Sequence, residues 1–177
     1  MQSFIMTQLE KITELLQYFT GSTTTTTATR KYAATGIGSG FAAGDKVVFA
    51  GFSNSDSNGT KTLATVAANE VTVEEAIGTG EAGISATMNQ EYQGDWHDVR
   101  KWAILTTAIN CSGNAYLYVD QSQDGDNIDY TTTRTITGGT ADRSDISSGM
   151  FYARLRVRTN AADQTSMRAY LNGRIIT

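Results

Sequence analysis

Residues 151–158 alternate strictly between apolar and polar side chains, and this pattern constrains the fold more than any other part of the sequence. A period of two is typical of a β-strand that has one face buried and one face in contact with solvent. The apolar positions are Phe151, Ala153, Leu155 and Val157, and the polar positions are Tyr152, Arg154, Arg156 and Arg158. We therefore expect a half-buried strand at Met150–Thr159.

Similar short segments recur from residue 30 onward, with turn residues between them. Proline is absent and glycine occurs 17 times, so glycine, asparagine and aspartate have to make the turns. Strands at this spacing without intervening helices indicate a sandwich or a barrel. The other predicted strands are Lys46–Phe52, Thr60–Val66, Glu70–Glu75, Gly83–Glu91, Val99–Ile109, Ala115–Gln121, Ile128–Ile136 and Thr165–Leu171.

Residues 2–19 carry a different pattern, in which apolar residues follow the 4-3-4-3 spacing of a heptad. Leu at position a with Ile at position d favours trimers or tetramers over dimers. The sequence predicts an N-terminal α-helix that either assembles a homotrimer or packs on its own domain. The predicted oligomerisation residues are Ile5, Leu9, Ile12, Leu16 and Phe19.

A polar stretch follows the predicted helix and contains five consecutive threonines. Threonine is a poor helix former, so this stretch indicates an extended linker. The expected fold is mainly β, with an N-terminal α-helix followed by a small β-barrel-like module and an antiparallel β-sandwich. The predicted domains are the helix and linker at 1–29, the small β module at 30–93 and the sandwich at 94–177.

Charge and cysteine content exclude several classes of function. A net charge of −4 disfavours general binding to the phosphate backbone of nucleic acids. The single cysteine, Cys111, excludes an intrachain disulfide and disfavours a structural zinc site. No secretory signal and no apolar run of ~20 residues are visible, so we expect synthesis in a cytosol and no membrane partner.

Two clusters invite a metal or catalytic interpretation. Residues 120–129 place Asp120, Ser122 and Asp124 at alternate positions with Gly125 sixth, as in a calcium loop. Thr131, however, stands at the twelfth position, where a bidentate glutamate belongs. The sequence therefore favours a β-turn without a metal. His97 is the only histidine and lacks a nucleophile motif. We expect neither an enzyme nor a cofactor.

The most promising binding residues lie on two predicted strands. Arg154, Arg156 and Arg158 form a basic stripe that could meet carboxylates on a partner, or pair with Asp120 or Asp129 in the same chain. Tyr116 and Tyr118 share a strand face, where they could stack on sugar rings or pack between subunits. The sequence leaves both interpretations open for the arginines and for the tyrosines.

Two stretches resemble β modules of tailed-bacteriophage virion proteins. The first carries Phe41, Gly44-Asp45, Val47, Gly51, Asn58-Gly59-Thr60, Val66, Asn69, Val71 and Val73. The second carries Tyr116–Val119, Gln121-Ser122, Asp124-Gly125, Asn127, Asp129, Arg154, Arg156-Val157, Asn160, Thr165 and Arg168. Ile128 departs from the pattern, which often has an aromatic residue there.

The resemblance implies a capsid decoration or head-fibre protein that binds the major capsid protein or other virion proteins. It would be assembled in the host bacterial cytoplasm and then reside in the virion. A tail-fibre or baseplate protein that binds a host glycan is the alternative. A decoration or head-fibre protein would bind through contact area and avidity rather than through chemistry.

Overall fold

The computed structural model describes residues 4–13, 15–147, 149–160 and 164–176, and it confirms a mainly β protein with antiparallel sheets. Two short 3-10 helices, Thr27–Thr29 and Ser55–Ser57, interrupt the strands. No helix in the described residues has the length and apolar character needed to cross a membrane. The strands are β1 Phe4–Ile12, β2 Tyr18–Thr26, β3 Lys31–Ala33, β4 Lys46–Ala50, β5 Gly59–Ala67, β6 Glu70–Val73, β7 Ile84–Gln93, β8 His97–Asp98, β9 Ile104–Cys111, β10 Ala115–Ser122, β11 Tyr130–Ile136, β12 Ala141–Ser147, β13 Tyr152–Thr159 and β14 Met167–Ile176.

The predicted N-terminal helix is wrong, because its described residues form β1 and the start of β2. β1 pairs antiparallel with β14, and the register shifts between Gln8 and Glu10. Such a bulge inserts an extra residue and breaks the simple alternation of a strand. Apolar side chains in a bulged strand can therefore imitate the spacing of a helix. Ile12 is 1% exposed and belongs to the core of its own chain.

The chain divides into two compact units, and the first contains Met1–Leu15 together with Tyr92–Thr177. One of its sheets has the strand order β1-β14-β9-β12. Another group of strands runs β11-β10-β13, with β8 paired to β13. The inner positions of β13 are fully buried, which confirms the alternation predicted for Ala153, Leu155 and Val157. Phe151 precedes this strand and is half exposed.

Trp102 fixes the packing at one point of unit 1. A side chain added at Gly173 would place its Cβ 2.3 Å from the indole Cδ2 of Trp102. That distance lies well inside van der Waals contact, so β14 can pass the buried indole only because residue 173 has no side chain. Glycine in a strand often marks such a close approach.

The second unit, Leu16–Glu91, consists of short antiparallel strands whose pairings form a closed circuit. The pairs run from β2 to β3, β6, β5, β4 and β7, and β7 pairs with β2 again. Tyr32 lies at the centre of the core, stacked on Phe49 with ring centroids 3.9 Å apart. Its hydroxyl donates to the carbonyl of Ser57 at 2.9 Å, which satisfies the buried polar atom. Burial also raises the pKa of Tyr32.

The threonine-rich stretch is extended, as predicted, but residues 22–26 belong to β2 of this circuit and do not form a linker outside the β units. Thr23 and Thr25 are buried, whereas Thr24 and Thr26 face solvent. Thr24 pairs with Ala33, and Thr23 pairs with Ile84. β-branched threonine fits a half-buried strand well, and the alternation of burial shows that it serves that purpose here.

The burial of Ile12 in the core of its own chain yields a test of the structure. Ile12→Ala should lower the free energy of unfolding by about 2–5 kcal/mol, because it empties a buried site. Met6→Ala should change the free energy by less than about 0.5 kcal/mol, because Met6 is 52% exposed. Urea unfolding followed by tryptophan fluorescence measures this, since Trp96 and Trp102 both lie in unit 1. Equal, small effects would contradict the structure.

Candidate functional site

The predicted binding residues lie together on one face of the β10–β13 pair. Tyr116 lies opposite Arg158, Tyr118 opposite Arg156, and Asp120 opposite Arg154. Residues directly opposite each other in antiparallel strands project to the same side of the sheet. We call this set the ladder face; its members are Tyr116, Tyr118, Asp120, Arg154, Arg156 and Arg158.

Alternation along both strands produces the ladder face. The residues between its members point inward and are almost completely buried; they are Leu117, Val119, Gln121, Ala153, Leu155 and Val157. A shift of one residue in the register would turn the apolar side chains among them to solvent. The hydrophobic core therefore fixes which side chains stand on the ladder face.

Asp120 anchors the ladder face from a position with no solvent exposure. Its Oδ2 accepts hydrogen bonds from Nε of Arg156 at 2.6 Å and Nε of Arg154 at 3.1 Å. Its Oδ1 accepts from Nη2 of Arg156 at 2.9 Å and from the hydroxyl of Thr131 at 2.8 Å. A buried carboxylate is tolerated only when it is paired and hydrogen-bonded in this way.

The ionisation of Asp120 follows from these contacts. Burial would by itself raise its pKa, but the hydrogen bonds from Arg156, Thr131 and Arg154 and the charge of Arg156 bring the pKa below its ordinary value. The carboxylate is therefore charged at neutral pH. Arg154 and Arg156 thus form ion pairs with Asp120 of the same chain. This is the cross-strand pairing that was predicted as one of the two interpretations of the basic stripe.

Aromatic rings support the guanidinium groups. The guanidinium carbon of Arg156 lies 4.6 Å from the ring centre of Tyr118, and that of Arg158 lies 4.9 Å from Tyr116. Arg154 lies 4.4 Å from the ring of Trp96. Distances below about 6 Å permit an attractive cation–π interaction. Trp96 was not predicted as part of this site, because its position before β8 gives no sign of the arginine that it meets.

The ladder face carries excess positive charge. It holds three guanidinium groups and one carboxylate, and within the described residues no carboxylate forms an ion pair with Arg158. The Nε of Arg158 is buried and has no hydrogen-bond partner among those residues. Arg154 and Arg156 keep 12% and 17% of their side chains exposed. The arrangement can bind carboxylates with guanidinium groups that are already oriented.

The predicted oligomerisation residues do not form one seam. Leu9 and Ile12 belong to unit 1, whereas Leu16 and Phe19 belong to unit 2. Leu16 is buried, and Phe19 packs against the core of unit 2. Ile5 lies on β1, and its side chain is outside the described part of the chain. The coiled-coil interpretation is wrong, and the trimer prediction loses the observation on which it depended.

His97 takes part in a polar contact rather than in a catalytic pair with its sequence neighbours. Its Nε2 lies 2.8 Å from Oε2 of Glu10, and the hydroxyl of Tyr92 donates to Oε1 of Glu10 at 2.9 Å. Glu10 is on β1 and His97 is on β8. The contact therefore ties β1 to the segment that leads into β8. No sequence signal near His97 could have identified Glu10, which lies 87 positions away.

The acidic loop uses its own carboxylates. Asp124 accepts from the backbone N–H groups of Asn127 and Asp126 and from the hydroxyl of Ser122. These bonds, the backbone bond from Asn127 above all, hold the pKa of Asp124 far below its ordinary value. No group of three potential ligands suited to a metal occurs in the described residues. The loop has the contacts of a hydrogen-bonded β-turn.

Comparison with models of known protein families found no match, and comparison with curated protein sequences found none either. The family resemblance described above therefore depends on the quoted residues alone.

Asp120→Ala should lower the free energy of unfolding by roughly 3–5 kcal/mol at neutral pH, because two buried arginine contacts lose their counter-charge. The folded pKa is depressed, so this contribution is present above the ordinary value of about 3.9 and is lost as pH falls through the folded pKa. The difference between variant and wild type should shrink in acid. Urea unfolding at neutral and acidic pH measures it.

Asp126→Ala is the matched control for this experiment. Asp126 is exposed, and removing its charge should change stability by less than about 0.5 kcal/mol. Similar losses in both variants would show that net charge, and not the buried anchor, determines the effect.

Millimolar calcium or a chelator should leave the melting temperature unchanged. The carboxylate of Asp124 is occupied by its own loop, and Thr131 donates to Asp120. A ligand at 100 times its dissociation constant would add about 2.7 kcal/mol if it bound only the folded state. A clear calcium-dependent rise in a thermal scan would overturn the β-turn interpretation.

Proposed function

We propose that this protein is a non-enzymatic structural component of a tailed-bacteriophage virion, and specifically a capsid decoration or head-fibre protein. Its partner would be the major capsid protein or a neighbouring virion protein. The ladder face is the observation that carries the proposal. The residues that resemble phage virion modules include Tyr116, Tyr118, Arg154 and Arg156, which belong to that face.

We propose further that unit 2 is a small barrel-like module and that unit 1 is a β-sandwich. The closed circuit of strand pairs in unit 2 supports a small barrel-like module, because only a ring returns to its first strand. The buried inner positions of β10 and β13 support a sandwich in unit 1. Both architectures provide a rigid support for surface side chains, which is what a scaffolding or decorating protein needs.

The ladder face suits a protein partner that presents carboxylates. Alternate residues on a strand are spaced by about 6.8 Å, so the guanidinium groups form a regular row. The rings beneath Arg156 and Arg158 limit the freedom of these side chains before binding. Less conformational entropy is then lost when the interface forms. Repeated copies on a lattice would add avidity to a moderate single contact.

A glycan receptor is less well served by the same residues. Sugar stacking needs an open aromatic face, whereas the rings of Tyr116 and Tyr118 each carry a guanidinium group. This geometry favours the capsid proposal over a tail-fibre or baseplate protein that binds a glycan. The net charge of −4 argues against nucleic acid as the partner. We propose no membrane partner.

Gradient-purified particles produced by the genome that encodes this chain should contain the protein in many copies. Mass spectrometry of the particles tests this, and labelled antibody seen by electron microscopy would place it on the head. Particles that lack the protein, or antibody label confined to the tail, would refute the capsid proposal.

Arg158→Gln should weaken attachment of purified protein to particles made without it by at least about tenfold, or 1.4 kcal/mol. Arg158 has no carboxylate partner within the described residues, so the folded protein should remain stable. Co-sedimentation over a range of protein concentrations measures the loss.

Arg143→Gln is the control, since it removes the same charge from an exposed position on β12. It should leave attachment within about twofold of wild type, because a solvent-exposed charge outside the interface contributes little. Equal losses in both variants would exclude the ladder face as the attachment surface.

A further inference from the structure

β11 is an edge strand of its sheet. It stands at the end of its sheet, and within the described residues its only strand neighbour is β10. The pairing with β10 covers all seven residues without a shift of register. The opposite side of such a strand presents backbone N–H and C=O groups that can pair with another strand.

The other sheet of unit 1 protects its edges. β12 carries Asp142, Arg143 and Asp145. β1 has the bulge between Gln8 and Glu10, and the charged residues Glu10 and Lys11 follow it. Charges and bulges are the usual devices that prevent an edge strand from pairing with another molecule. β11 has no bulge, and its one charged residue is Arg134, which forms an ion pair with Asp142.

The side chains of β11 are also suited to a partner strand. Five of its seven residues are β-branched, four of them threonines, and such residues favour extended pairing. Tyr130, Thr133 and Thr135 are exposed. Tyr130 is among the most exposed large apolar side chains of the described residues, at 56%.

We propose that β11 pairs antiparallel with β11 of a second copy of this chain, with Thr133 on the two-fold axis. Thr133 is the middle residue of the strand, so this register pairs all seven positions. It places Thr131 opposite the second copy's Thr135, and Thr132 opposite its Arg134. No like charges meet, whereas a register centred on Arg134 would oppose two guanidinium groups. The strand is therefore complementary to itself.

The pairing has a geometric consequence for the ladder face. The two-fold axis of an antiparallel strand pair is perpendicular to the sheet, so both copies keep the same face on the same side. Thr131 lies opposite Asp120 across the β10–β11 pair, which puts the ladder face on the side of the odd-numbered threonines. The dimer would thus present two ladder faces on one continuous surface. The pairing itself does not depend on where the protein is attached.

Thr133→Lys tests the proposal in the full chain. It places two ammonium groups directly opposite each other on the axis, which disfavours the pair. Wild-type protein should be a dimer at tens to hundreds of micromolar by sedimentation velocity, since an interface of one strand pair lies at the small end of the known range. Thr133→Lys should be a monomer with an unchanged circular dichroism spectrum. The control is Thr24→Lys, on an exposed threonine that already pairs with Ala33, and it should remain dimeric.

Thr133→Cys gives a second test that does not depend on weakening the protein. Two residues that face each other in an antiparallel pair are close enough for a disulfide. Oxidised glutathione should therefore cross-link Thr133→Cys rapidly, while Thr24→Cys stays uncross-linked and Cys111 remains protected by burial. A wild-type monomer throughout the concentration range overturns the proposal. So does an oligomer that Thr133→Lys leaves intact, or equal cross-linking of the two cysteine variants.

Discussion

The pairing of β1 with β14 is the constraint on which unit 1 depends. β1 lies near the beginning of the chain, whereas every other strand of its sheet comes after residue 103. Unit 2 is consequently an insertion between β1 and the rest of unit 1. Loss of β1 would leave one edge of β14 unpaired from Ala169 to Ile176. It would also remove the partner of His97, because Glu10 belongs to β1. β1 is therefore part of unit 1 rather than a separate helix.

The ladder face combines one completely buried position with side chains that are partly exposed. Asp120 is completely buried and contributes to the free energy of unfolding, whereas the outer ends of the arginines contact solvent. Aromatic rings then hold the guanidinium planes without neutralising them. One carboxylate orients two arginines, and within the described residues no carboxylate forms an ion pair with Arg158. A surface built in this way can recognise charge and still retain its shape.

The sequence predicted the strands whose alternation is regular and missed those in which it is disturbed or polar. β10 and β13 were found because buried apolar residues alternate without interruption. β1 was mistaken for a helix because its bulge displaces the apolar residues by one position. β12 was missed because an edge strand with few buried residues carries little apolar signal. The stripe of arginines and the tyrosines were predicted, but their stacking was not, since it depends on the register between two strands.

The order of the strands along the chain also means that the strands of unit 2 are all synthesised before unit 1 is complete. Unit 2 is contiguous, so all the strand pairs of its circuit can form once residue 91 has left the ribosome. β14 is made about 75 residues later, and at ~5–20 residues per second the interval amounts to several seconds. Throughout that time β1 has no partner from its own sheet. During this interval unit 2 can already be folded while β1 is still unpaired. A chaperone, or a neighbouring nascent copy, then has its best opportunity to bind β1.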